Sequence, residues 1–242
     1  MKPSPSLLRH PEHIHPSLWK GTQLAQAQRP ALSTGFTRLD AELPGRGWPI
    51  GALVEISLER PGIGEISLLR PALAQLGRER SIMFIQPPCA PHFRCWANWG
   101  LQDQRLLWVQ TDNLHDTLWA CDKALRHNAC SALLCWAPGA QAQSLRRLHL
   151  AAQQSNTLLV MLRSPAEARQ PCAAPLRLGL RPAAQGLLVS ILKRRGPACE
   201  HAIPIILHPE RAYSSSGAHH VSLDQPSSAP PQPGRRFSSL AH

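Results

Sequence analysis

The chain has 242 residues and a mass of 26.6 kDa, the size of one domain with or without tails. Lys and Arg number 26 against 15 Asp and Glu, a formal charge of +11, and residues 141–242 concentrate it, with 12 basic and 4 acidic side chains. An apolar content of 43% excludes wholesale disorder. No apolar run is long enough for a membrane-spanning helix, and the opening MKPSPSLLRHPEHIHP lacks the apolar stretch of an export signal. These features predict a cytoplasmic protein without membrane contact, whose basic C-terminal half favours an anionic partner, nucleic acid ahead of membrane.

In chain order, residues 1–15 read as a loose arm. Pro16 to Gln28 then reads as a short amphipathic helix carrying Leu18, Trp19, Leu24 and Ala25. A helical turn over 36–43 stops at Pro44-Gly-Arg-Gly-Trp-Pro49. Strand-like runs follow at 52–57, 82–85, 106–109, 132–136 and 157–162. Helices are predicted between them at 64–76, where Pro71 threatens a kink, at 91–99, at 113–126 and at 142–154. The helix at 113–126 is the clearest, because Leu114, Leu118, Cys121 and Leu125 share one face, with Asp112 or Asn113 as its cap. Continuous apolar strands separated by helices imply a parallel sheet covered on both faces. After residue 164 the pattern changes to strict alternation at 176–181 and 187–193 across a Pro182–Gly186 turn. That is an antiparallel hairpin with one wet face, followed by a third strand at 203–207. The tail from about residue 211 has the Ser, Pro, His and Gly content of a disordered segment.

Seven Cys, at 89, 95, 121, 130, 135, 172 and 199, include no CxxC pair, which fits reduced thiols serving mostly as small apolar fillers. His10, His13 and His15 lie among prolines in the arm, without ligand spacing nearby, so no metal and no cofactor is expected.

A parallel sheet binds ligands in the loop after its first strand. Here that loop is Leu58-Glu-Arg-Pro-Gly-Ile-Gly-Glu-Ile-Ser67. Gly62 and Gly64 have the position of a phosphate loop, but Glu65 and Ile66 stand where Lys and Ser/Thr would meet phosphate and magnesium. The loop reads as degenerate, a strand-to-helix turn more than a nucleotide site.

The segments Gly51-Ala-Leu-Val-Glu-Ile56, Met83-Phe-Ile85, Leu106-Leu-Trp-Val109 and Asn156-Thr-Leu-Leu-Val160 resemble the ATPase core of RecA-type recombinases. Further segments tie the chain more closely to one family. They are Leu18-Trp19, Thr34-Gly-Phe36, Leu39-Asp40, Leu43-Pro44, Gly47-Trp-Pro49, Arg60-Pro-Gly-Ile-Gly-Glu65 and Ile191-Leu-Lys-Arg-Arg-Gly-Pro197. Over about residues 16–210 they resemble the ImuA-type, RecA-like accessory proteins of bacterial translesion synthesis, sometimes labelled SulA-like. The resemblance implies a RecA-like, mostly parallel sheet flanked by helices with an antiparallel C-terminal hairpin extension. It divides the chain into an arm and helix (1–30), a RecA-like domain (31–210) and a tail (211–242).

The resemblance also implies an accessory or scaffold role in SOS-induced, error-prone DNA synthesis and repair. Its implied partners are an inactive Y-family polymerase-like protein and an error-prone replicative-type polymerase, with nucleoid association when DNA is damaged. The alternatives are an SOS-induced inhibitor of the tubulin-like division protein, or a residual DNA-binding ATPase. Departures from RecA weigh against the last. Gln86-Pro-Pro88 replaces the catalytic Glu, Trp136 or Ala137 the metal-ordering Asp, and Arg163-Ser-Pro165 the polar sensor. Phosphoryl transfer needs several of these groups together, so no ATPase activity is expected.

Surfaces then carry the function. Lys193, Arg194 and Arg195 end a strand, and Arg146 and Arg147 lie with His149 on a helix. Both clusters are candidates for weak, sequence-independent DNA contact. Leu18, Trp19 and Trp48 are candidates for partner docking or self-association. Trp108, Trp119 and Trp136 are expected in the core.

Overall fold

The computed structural model describes residues 30–90, 96 and 105–207. The arm and helix bearing Leu18 and Trp19, the three arm histidines, most of the predicted 91–99 helix and the 211–242 tail lie outside these residues.

Strand β1 (Ala31–Leu32) pairs antiparallel with β2 (Trp48–Pro49), with helix α1 (Thr37–Glu42) and a 3-10 turn (Pro44–Arg46) between them. Two-residue strands have no periodicity to reveal them in a sequence. The next strand, β3 (Ala52–Leu58), leads through the glycine loop into α2 (Glu65–Leu76). Strands β4 (Ile82–Ile85) and β5 (Leu106–Val109) follow, then α3 (Leu114–Arg126), β6 (Ala132–Trp136), α4 (Ala142–Gln153), β7 (Leu158–Arg163) and the single-turn α5 (Pro165–Ala168). The hairpin β8 (Leu176–Ala183) and β9 (Gly186–Lys193) and a last strand, β10 (Ile203–Ile206), complete the described chain.

Eight strands form one sheet in the order β10-β9-β8-β3-β7-β6-β4-β5. The six from β8 to β5 run parallel, while β9 and β10 are antiparallel. The expected mixed α/β architecture, mostly parallel with an antiparallel hairpin extension, is present. Strands β3 and β7 are buried along their whole length, as apolar runs without alternation require. In β8 and β9 only alternate residues are buried: Leu176, Leu178 and Leu180, and Leu187, Val189 and Ile191.

Two apolar layers cover the sheet. On one face Val54, Ile56, Phe84, Leu134, Val160 and Leu178 pack with Leu68, Leu69 and Leu73 of α2. On the other, Leu53, Leu133, Leu159 and Met161 pack with α3 and α4 through Cys121, Leu125, Leu145 and Leu148. Cys121, Cys130 and Cys135 are buried fillers, and burial pushes the Cys130 thiol up to about 12. Among the described residues, no helix is long and apolar enough to cross a membrane.

Several local expectations need correction. Pro71 does not interrupt α2; its ring lies against Gly35, where a Cβ would stand 2.5 Å from the Pro71 Cβ. Of the two cap candidates, Asn113 is the one that caps α3, its side chain accepting the Asp116 N–H at 2.9 Å. Trp119 is 53% exposed, with the Lys123 ammonium 5.7 Å from its ring centroid, and Trp108 is 39% exposed on the edge strand β5. Neither is a core residue. Trp136 is half-buried against the core, and Trp96 is buried edge-on to Phe84.

Candidate functional site: a self-filled phosphate loop

The glycine loop sits where the topology places a ligand site, between the C-terminal end of β3 and the first turn of α2. Gly62 and Gly64 both adopt left-handed backbone, at φ 84° and 117°, which only glycine tolerates readily. That conformation turns their N–H groups inward, as an anion-binding loop requires. The group they meet is the chain's own Glu65. Its Oε1 accepts the Gly62 N–H at 2.8 Å and its Oε2 the Gly64 N–H at 3.1 Å. The side chain belongs to the first residue of α2 and is 3% exposed, so the helix dipole also favours its negative charge.

The carboxyl therefore stands where phosphate oxygens would be received. A β-carbon added at Gly64 would come within 2.7 Å of Leu207 Cδ1 and 3.6 Å of Leu187 Cγ, so the C-terminal strands pack against the Gly64 end of the loop, while Gly62 faces open space. Ile66, in the place of a magnesium-ordering hydroxyl, packs partly buried against the core.

The other positions that the sequence reading compared with a RecA-type pattern have structural partners. Gln86 donates its amide to Thr111 Oγ1 at 2.9 Å, while its backbone N–H donates to Val109 O at 2.9 Å, tying β4 to the end of β5. Ala137 is buried at the end of β6. Arg163 is buried at 1% side-chain exposure; it donates to Ala140 O at 2.8 Å and pairs with Glu55 Oε2 at 3.5 Å. Arg177 completes that cluster, donating from Nη2 to Glu55 Oε1 at 2.7 Å. Ser164 forms a reciprocal cap with Glu167 at the start of α5.

The candidate surface residues separate. Lys193 donates to Cys172 O at 3.0 Å, and Arg194, only 14% exposed, pairs with Glu42 Oε2 at 2.9 Å and donates to Pro197 O. Arg195 is exposed beside them. The corner therefore presents fewer available cations than three adjacent basic letters suggest. The Arg194 guanidinium, against the opposing effect of burial, holds the Glu42 carboxyl below its ordinary range. On α4, Arg146 is exposed and Arg147 is 62% exposed, with Nε 3.6 Å from Asp122. His149 turns inward, its Nδ1 accepting the Leu53 N–H at 3.2 Å. Trp48, expected as a docking residue, is the first residue of β2 and is fully buried in the core, where it cannot receive a partner. Leu18 and Trp19 lie outside the described residues.

One grouping escaped the sequence reading. Glu42, at the end of α1, meets Cys199 and His201 from the connection between β9 and β10, with their ligating atoms within 4.8 Å of one another. Cys199-Glu-His201 is a spacing visible in the sequence, but its third member comes from the far end of the domain.

Residues 51–159 match the family model described as "Cell division inhibitor SulA". Among solved structures, SulA from Pseudomonas aeruginosa is 23% identical, with 46% of this chain and 97% of that chain covered and a TM-score of 0.39. No curated protein matches. The matched window runs from just before β3 into β7 and contains the self-filled loop, while β8, β9 and β10 lie beyond it. Over that window, the chain is similar to the SulA family.

Proposed function

We propose that this protein is a non-catalytic, RecA-like accessory factor of the SOS response, of the ImuA type, that holds components of error-prone translesion synthesis together. The observation that carries the reading is the Glu65 carboxyl bound to the N–H groups of Gly62 and Gly64. A loop that satisfies its own donors has no need of a triphosphate, and a carboxyl in that place repels one. A RecA-like domain without its chemistry retains surfaces, and the basic excess of residues 141–242 suits a partner assembled on DNA. The ImuA-type motifs span about residues 16–210, well beyond the SulA-like window at 51–159. The partners on this reading are an inactive Y-family polymerase-like protein and an error-prone replicative-type polymerase, with weak non-specific DNA contact and nucleoid association after damage.

The SulA match at 51–159 favours a second reading, inhibition of cell division. Affinity capture of the tagged full chain from DNA-damaged cells separates the two. Recovery of polymerase-type proteins, and loss of damage-induced mutagenesis on deletion, is the expected result. Recovery of the tubulin-like division protein instead, with filamentation on overexpression, sinks the translesion reading.

A further inference from the structure

The cluster joining α1 to the β9–β10 connection has the donor set of a zinc site. Cys199 Sγ lies 3.9 Å from His201 Nε2, and that same nitrogen lies 3.5 Å from Glu42 Oε1. Tetrahedral zinc, with bonds of about 2.0–2.3 Å to N, O and S, places its ligands about 3.4–3.6 Å apart. The third pair, Cys199 Sγ and the Glu42 carboxylate, lies within 4.8 Å, so rotation of the side chains brings all three to that spacing. Thiolate, imidazole and carboxylate form a borderline-soft set that suits zinc and discriminates against magnesium and calcium.

The orientation of the carboxylate supports the same assignment. Arg194 binds Glu42 Oε2 at 2.9 Å and leaves Oε1 turned toward His201 Nε2, 3.5 Å away. An outer partner of this kind fixes a ligand's direction without occupying its donor atom. Glu42 is 29% and His201 67% exposed in their side chains, so a cation reaches the site from solvent and a fourth position stays open to water. When Cys199 binds as thiolate, the S–H bond is lost to a zinc–sulfur bond and its proton passes to solvent. Thiolate and carboxylate together bring two negative charges against one guanidinium, leaving net negative charge to attract the ion.

We propose that Glu42, Cys199 and His201 bind one zinc ion, with water as fourth ligand, and that the ion clamps the β9–β10 connection to α1. The clamp would act on the last strand of the sheet, whose neighbour Leu207 closes over Gly64. This inference is independent of the translesion reading, because it concerns a site on the opposite sequence margins of the domain and requires no polymerase.

The test uses the full chain, stripped of metal by chelation and titrated with cobalt(II) as a spectroscopic stand-in for zinc. The expected result is one equivalent bound, with a thiolate-to-cobalt charge-transfer band. Cys199→Ser abolishes the band and Cys89→Ser, at an exposed thiol, leaves it. His201→Gln and Glu42→Gln weaken binding at least tenfold, with the far-ultraviolet circular dichroism of each metal-free variant unchanged. Zinc raises the thermal midpoint of the unmodified protein and not of Cys199→Ser. Absence of a thiolate band, or a band that survives Cys199→Ser, overturns the assignment.

Discussion

Leu207 Cδ1 would stand 2.7 Å from a β-carbon at Gly64, so the chain immediately after the last strand packs against the helix-proximal end of the loop that follows the first parallel strand. That side chain covers the loop at Gly64 and Glu65 fills it from inside, while residues 59–62 stay exposed. Reversing one of these features does not restore a nucleotide site. The purified protein is expected to show no magnesium-dependent ATP turnover, with or without DNA, and Glu65→Lys is expected to show none either. A DNA-stimulated rate that disappears on substitution of Gly64 would contradict this. Glu65→Ala strands two loop N–H groups and is expected to destabilise the fold by about 1–3 kcal/mol, measured by denaturant unfolding.

The buried Glu55 carboxyl is shared by Arg163 and Arg177 on the two strands flanking β3. With side-chain exposures of 1%, 1% and 13%, the three groups depend on one another for charge compensation. Removing the Glu55 carboxyl leaves two guanidiniums in a low-dielectric layer with only Glu167 Oε1, 3.8 Å from Arg163 Nη2, as a remaining countercharge. Glu55→Ala is therefore expected to cost about 3–5 kcal/mol, a fall on the order of 10 °C in thermal midpoint. A loss below about 1 kcal/mol would mean that water reaches the cluster.

Lys193, Arg194 and Arg195 are adjacent in sequence and unequal in structure. Arg194 is committed to Glu42, whereas Arg195 projects into solvent. In fluorescence-anisotropy titrations with duplex DNA at several salt concentrations, Arg195→Ala is expected to weaken binding and lower the salt slope by about 1 while leaving the thermal midpoint unchanged. Arg194→Ala is expected to lower the midpoint. An unchanged salt slope in Arg195→Ala would show that the corner is only a solvated face.

How much of this was legible in the sequence depends on the range of the interaction. Strands β3, β6 and β7 announce themselves because burial on both faces forces unbroken apolar runs. The β8–β9 hairpin announces itself by alternation. The sequence also placed Glu65 where a phosphate-binding Lys belongs. It did not show that the carboxyl turns back onto Gly62 and Gly64, because that depends on two left-handed glycines acting together. Trp48 sits in a two-residue strand with no periodicity to place it, and Trp119 was misplaced for a simpler reason. An indole's apolarity says that it prefers burial, not which face of its element it occupies, and Trp119 falls on the wet side of α3. Long-range groupings such as Glu55 with Arg177, or Glu42 with His201, arise only once strand order is known.

The Ser164–Glu167 cap offers a measurable pH dependence. Burial opposes ionisation of Glu167, but hydrogen bonds from Gly139 N, Ser164 N and Ser164 Oγ outweigh it and hold the carboxyl below its usual range, with Arg163 assisting. A carboxyl whose pKa is lowered in the folded state stabilises that state fully above the unfolded value, which is 4.5 for an unperturbed Glu. The contribution then falls away as pH drops through the lower, folded value. Glu167→Gln is expected to cost about 1 kcal/mol at pH 7, the scale of a helix cap. Paired denaturant titrations of the two proteins should give curves separated at neutral pH that converge on acidification below the carboxylate range. A gap between them that stays constant down to strongly acidic pH would show that Glu167 contributes through packing, and that its charge does not matter to the fold.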